Sequence, residues 1–366
     1  MYKKKYLDMM MNNKVGGTLS KEDIKKQVDL IFEKNSNNMA AYTNLIQSYK
    51  APNEDHLSVI KELITQFPSF FIDTDISFKS NKEIALLAFR RDSEKNIVFN
   101  SLDPILQDDR NFVLEAVAVN GRVLAAVKDD FKDDPEIVKT AISNYPSAFK
   151  FASEKKRGDT DIALLGLKNL DNILYILNPA LSNESVALKY FNDGGEDFKY
   201  FTSLIGNNTV VLAAVKKNGS NLQHASLELK NVKTIVLEAL KHNGSNLQYA
   251  SPELQNDKDI VLEALKSHGS GSDFVPADPT NIRFASKLQK DDRNILIEVI
   301  KLDPDFKKCK KFVSESRQTE IQNLINDFNK LPSTNKLKKY DSPYNIALDL
   351  YLRNHLIPKP TIPYFF

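Results

Sequence analysis

Six basic residues share one place in a recurring pattern: Arg90, Lys168, Lys216, Lys241, Lys266 and Lys301. Cations at equivalent sites of a repeat line up as a positive stripe, which can hold phosphates or an acidic protein segment. They also have a structural use, because each stands nine residues past the aligned start of a helix and so near its C-terminus. A cation there offsets the helix macrodipole by ~0.3–1 kcal/mol. Glu238, Glu263 and Glu298 stand three residues before their lysines and can neutralise them. The structural use is the favoured expectation.

Phe151, Tyr200, His224, Tyr249 and, past an insertion, Phe284 occupy a second equivalent position. Aromatic side chains in a row can stack on bases or clasp a peptide. Wedging between adjacent repeats is the expected alternative and the favoured one. The insertion, GSDFVPADPT between Gly269 and Asn281, carries an apolar tip at Phe274. A long loop in a regular array either binds something or is a tolerated passenger. The candidate binding residues are therefore Arg90, Lys168, Lys216, Lys241, Lys266, Lys301, His224, Tyr249, Phe284 and Phe274.

Catalytic chemistry has no foothold in the pattern. His56, His224, His242, His268 and His355 show no metal-ligand spacing, and surface or packing roles are expected for them. Cys309, the one cysteine, lies in KKCKK, where lysines can lower a thiol pKa; an exposed, unpaired thiol is expected. It excludes an intramolecular disulfide and fits a reducing compartment. No phosphate-cradling or dinucleotide-binding glycine pattern occurs. No catalytic residue, metal or cofactor is expected.

The elements that position these residues follow from an Asx residue recurring at Asn81, Asp109, Asp134, Asp159, Asn183, Asn207, Asp257 and Asp292, with Val232 in the remaining repeat. Asn and Asp side chains accept hydrogen bonds from the free N–H groups of a helix's first turn, so this is the N-cap. Counted from it, positions +3, +4, +7 and +8 form an amphipathic stripe, as in Ile260, Val261, Ala264 and Leu265. Position +5 is Leu in seven repeats and Ile297 in another, which widens the stripe. At +12 a glycine (Gly121, Gly195, Gly219, Gly244 or Gly269) or a proline (Pro146 or Pro304) is expected to stop the helix, the glycine by turning left-handed. Leu222, Ala225 and Leu229, repeated as Leu247, Ala250 and Leu254, then build a second short helix.

Cap spacings of 28, 25, 25, 24, 24, 25, 25 and 35 residues predict an all-α solenoid of about nine ~25-residue two-helix repeats. The expected organisation is an N-terminal helical cap with one degenerate repeat over 1–75, the repeats over 76–308, a closing helix within 309–330, and a helix with an extended, proline-rich tail over 331–366. Fifty basic residues against forty-eight acidic ones give no overall pull towards nucleic acid, and no run of residues is long and apolar enough for a membrane span. A cytoplasmic setting is expected, with delivery into a host cell by a signal-independent route left open.

The pattern D-x-x-I-V-L-E-A-L-x-x-N-G-x-x-L-x-x-A-S, strongest from Asp109 to Ser286, resembles the helical repeats catalogued as a domain of unknown function in intracellular bacteria, protists and large DNA viruses. The resemblance implies an α-helical repeat protein working inside or upon a eukaryotic cell, and it brings no catalytic residues. The expected function is a non-enzymatic protein–protein interaction scaffold. The alternatives are a structural subunit of a large assembly, anchored by its C-terminal tail, and a nucleic-acid-binding repeat protein.

Overall fold

The computed structural model describes residues 54–90, 97–267, 277–331 and 342–357, with single positions between 22 and 49. Phe274, Gly269 and the tail 358–366 lie outside the described residues, as does most of the expected N-terminal cap. Among the described residues every regular element is an α-helix or a 3-10 helix. The chain divides into two compact bodies, Met1–Ala180 and Leu181–Phe366.

In the first body the helices Glu54–Gln66, Lys82–Phe89, Arg110–Val119, Pro135–Asn144 and Thr160–Gly166 each pack on the next. In the second, Glu184–Asn192, Asn208–Lys217, Lys233–His242, Lys258–Lys266 and Arg293–Leu302 do the same. Each of the nine aligned residues is an N-cap, and every one except Val232 accepts a first-turn N–H with its side chain. Asp109, for example, accepts from Asn111 N at 2.9 Å and Phe112 N at 3.1 Å. The stripe goes inward as its period requires: Ile260, Val261, Ala264 and Leu265 are fully buried. Each large aliphatic chain so placed contributes ~1.5–3 kcal/mol.

The second half of the repeat departs from expectation, for it is not one short helix. It comprises a 3-10 helix, such as Gly244–Tyr249, and then a single α-turn, Pro252–Gln255. Ala250 between them is extended and buried. The following serine separates the two pieces. The Ser251 N–H donates to Lys230 O of the preceding repeat at 3.0 Å, and its hydroxyl donates to Asn231 Oδ1 at 2.6 Å. The same Oγ accepts from Leu254 N at 3.2 Å, capping the α-turn. Ser286 repeats all three bonds one repeat later.

The glycines also work differently from the expectation. Gly194, with φ 107°, is the described glycine with a left-handed backbone, beside rather than at the aligned Gly195. Gly244 instead opens the 3-10 helix, and a Cβ there would run into Ala264 O of the next repeat's helix and meet Asn281 Nδ2 at 2.5 Å. Gly219 likewise has Ala239 O at 2.6 Å from its Cβ position. These residues are small because the next helix passes against them. The helix itself ends one residue earlier, at an extended asparagine such as Asn243, whose side chain accepts from Ser245 N at 2.8 Å.

The 3-10 helix also buries an asparagine, at a position that the repeat pattern does not announce. Asn246 Nδ2 donates to Ala239 O at 2.9 Å, and Asn221 Nδ2 donates both to Ala214 O at 3.0 Å and to Glu196 O in the preceding repeat at 2.6 Å. Such a side chain gives a second donor to a helix-terminal carbonyl that already accepts the C-cap N–H, and through Asn221 it ties that helix end to the preceding repeat.

At the N-terminal end, Glu54–Gln66, Pro68–Asp73 and the turn Ile76–Lys79 contain all three pieces of a repeat. The insertion rejoins the pattern at Asp278, which caps Pro279–Phe284. Pro279, not Gly269, therefore occupies the place of Gly244. Helices Glu315–Lys330 and Ser342–Leu356 close the second body.

Candidate binding surface

The six cations divide into two groups once their partners are known. Arg90, Lys168, Lys216 and Lys266 are exposed and pair with no carboxylate among the described residues. Lys241 bonds Glu238 at 2.7 Å, and Lys301 bonds both Glu298 at 3.0 Å and Asp349 at 3.1 Å. Partial burial works against the Lys301 ammonium, but its two carboxylates outweigh that and hold its pKa above the ordinary lysine range. In the second body Lys216, Lys241, Lys266 and Lys301 stand on helices packed in succession. In the first body Ala118 and Ser143 occupy the place between Arg90 and Lys168, so no continuous row forms there.

The aromatics are not the expected wedges. Phe151, Tyr200, Tyr249 and Phe284 are half-buried and His224 is exposed. The wedge is two residues earlier, at Phe149, Phe198, Leu222, Leu247 and Ile282, all essentially inaccessible. A 3-10 helix turns once in about three residues, so a step of two carries the side chain from the inner face to the outer one. There the rings receive cations: Lys150 Nζ lies 5.0 Å from the Phe151 centroid, Lys199 Nζ 5.1 Å from Tyr200, and the Arg283 guanidinium 4.5 Å from Phe284. His224 stacks on Phe198 of the preceding repeat at 6.3 Å.

Three of four matches to a known domain each cover a pair of repeats, and the fourth stops short of Pro279–Phe284. Residues 109–157, 134–182, 207–255 and 232–277 match a domain of unknown function (DUF4116). Each match starts at one of the N-caps described above, and within each pair the matches overlap by one repeat. No curated protein and no solved structure matches the chain.

Position +5 has two environments. Leu86, Leu114, Leu164, Leu188, Leu212, Leu237 and Leu262 are half-buried, whereas Ile297 is 0% exposed. Arg293–Leu302 is also the helix on which Ser342–Leu356 packs, with its own Leu348, Leu352 and Leu356 buried. Charges flank that seam: Lys301 meets Asp349, and Arg353 reaches both Asp349 at 3.0 Å and Glu298 at 3.3 Å. Because residue 298 faces 353 and residue 301 faces 349, the two helices run antiparallel. Burial pulls the Asp349 carboxyl upward, but Arg353 and Lys301 outweigh it and hold it below the usual carboxylate range.

Cys309 differs from expectation. It is buried, and burial with the neighbouring Asp303 carboxylate pushes its thiol up to about 12 despite the flanking lysines. Among the described residues no three His, Cys, Asp or Glu side chains group as metal ligands, and no helix is long and apolar enough to cross a membrane.

Proposed function

We propose that the protein is a non-enzymatic protein-interaction scaffold, an α-solenoid whose working surface is the set of side chains recurring from repeat to repeat. The observation that carries this reading is a division of labour within the second body. The polar groups of each repeat that could do chemistry hold its neighbours: the cap aspartates, the buried asparagines and the serines after each extended alanine. What remains outward recurs at equivalent places, namely the cations at Lys216, Lys241 and Lys266 and the rings at Tyr200, Tyr249 and Phe284. Repeated exposed groups at a fixed spacing suit a long ligand such as a protein segment. Carboxylates beside Lys241 and Lys301 weaken the nucleic-acid alternative, because they would face phosphates.

Affinity capture from the native host tests the reading, with the full chain compared against Lys216→Glu/Lys266→Glu/Tyr249→Ser. A partner set kept by the first and lost by the folded variant supports it. Equal recovery would remove these residues from any binding role. The tail is assessed by a chain shortened after Ile357, since an earlier end would remove the helix that packs on Arg293–Leu302.

A further inference from the structure

We propose that the helices Lys233–His242 and Lys258–Lys266 each carry a docking site for an amphipathic α-helix of a partner protein, whose leucine stripe is flanked by a carboxylate four residues before an arginine or lysine. This deepens the scaffold reading and rests on it. The last repeat shows how such a helix sits. Ser342–Leu356 reads three positions of Arg293–Leu302: the apolar +5 residue Ile297, Glu298 at +6 and Lys301 at +9. The first is fully buried in the helix it packs on, Arg353 meets the second at 3.3 Å and Asp349 the third at 3.1 Å.

The same three positions recur as Leu237, Glu238 and Lys241 and again as Leu262, Glu263 and Lys266. The other repeats of the second body lack the set, with Lys189 at +6 in one and Ala213 in another. At both sites the leucine is only half-buried and the lysine is exposed, so the apolar centre fully covered at Ile297 retains accessible surface. Lys241 already bonds Glu238 at 2.7 Å, as Lys301 bonds Glu298 at 3.0 Å. At the first site one half of the four-charge cluster is thus in place before any helix arrives, whereas at the second Lys266 pairs with no carboxylate among the described residues. The face continues, repeat by repeat, a face that already holds a helix.

The required chemistry follows from the charges. A helix approaching antiparallel must place its acid over Lys241 or Lys266 and its base over Glu238 or Glu263, the order of Asp349 and Arg353. A polyanion fails because the glutamates repel it. A wholly apolar helix covers the leucine but leaves both charges without partners. Exposed ion pairs contribute little affinity and instead set orientation and choice of partner, while the buried leucines supply most of the binding.

The test uses the full chain and a labelled synthetic peptide of residues 342–356 as the matched helix, followed by fluorescence anisotropy. Saturable binding is expected, weakened about tenfold by Glu238→Lys/Lys241→Glu/Glu263→Lys/Lys266→Glu. A peptide carrying Asp349→Arg/Arg353→Asp should prefer that variant, a reversal that misfolding cannot produce. The proposal is overturned if neither peptide binds, or if the reversal leaves both affinities unchanged. It is equally overturned if only Glu298→Lys/Lys301→Glu alters binding, since the peptide is then exchanging with the chain's own helix. If the peptide fails while host partners are still captured through the repeats, this site falls and the scaffold reading stands.

Discussion

Arg110 joins two repeats by reaching the N-cap of the next one: its Nε donates to Asp134 Oδ2 at 2.8 Å, and its Nη2 reaches Glu136 at 2.7 Å. A cation in the first turn opposes the helix dipole of its own repeat. The neighbour's cap carboxylate supplies the compensation. Lys82 meets Asp109 at 2.6 Å, Lys233 meets Asp257 at 3.1 Å and Lys258 meets Asp292 at 3.0 Å in the same way.

Asp134 therefore has two tasks, and substitution separates them. Asp134→Ala removes the acceptor for Glu136 N and Ile137 N and should cost ~1–2 kcal/mol. Asp134→Asn keeps the acceptor and loses only an exposed ion pair, so it should cost well under half as much. Urea unfolding of both variants checks this, and equal losses would show that the charge, not the cap, matters.

These caps set a dependence on pH. At Asp134, Asp257 and Asp292 partial burial raises the carboxyl, but the cation of the preceding repeat and the first-turn N–H groups outweigh it; at Asp109 the Lys82 bond is the largest cause. All four are held below their ordinary value, so the unfolded chain binds more protons and stability rises with pH. Their contribution is complete above the unfolded carboxyl value of about 3.9 and drains away as pH falls through the lower folded values. Urea midpoints at pH 7 and pH 3 should show the loss. Asp257→Asn should lose less than the parent between those two pH values, and an identical loss would refute the assignment.

Gly244 and Gly206 make a matched pair. A Cβ at Gly244 collides with Ala264 O, whereas at Gly206 nothing lies within 4 Å. Gly244→Ala should destabilise by ~1–3 kcal/mol, as overpacking does. Gly206→Ala should be neutral or stabilise by up to ~1 kcal/mol by restricting the unfolded chain. Thermal unfolding of the two variants decides whether the glycine is there for space.

Cys309 should resist thiol reagents while the protein is folded, since burial holds the thiol at about 12. Its labelling rate with a disulfide reagent should rise sharply across the urea transition. Fast native labelling at pH 8 would contradict the burial.

The sequence by itself determined what is local. An N-cap needs one side chain and the N–H groups two or three residues on, so Asp109 and Asp257 announce helix starts without reference to the rest of the chain. A stripe such as Ile260, Val261, Ala264 and Leu265 states the period and the inward face, and the return of both every 24 or 25 residues states the repeat. Tertiary structure decided what depends on a neighbour. Gly244 reads as a helix stop until the next helix passes over it. Tyr249 reads as a wedge until the 3-10 turn carries it outward and leaves Leu247 inside. Lys301 and Lys241 are equivalent in sequence, yet only Lys301 meets Asp349, which arrives from a helix 40 residues further on. Side chains that bond within one turn are legible from their order, whereas those whose surroundings come from another element acquire their role only when that element packs.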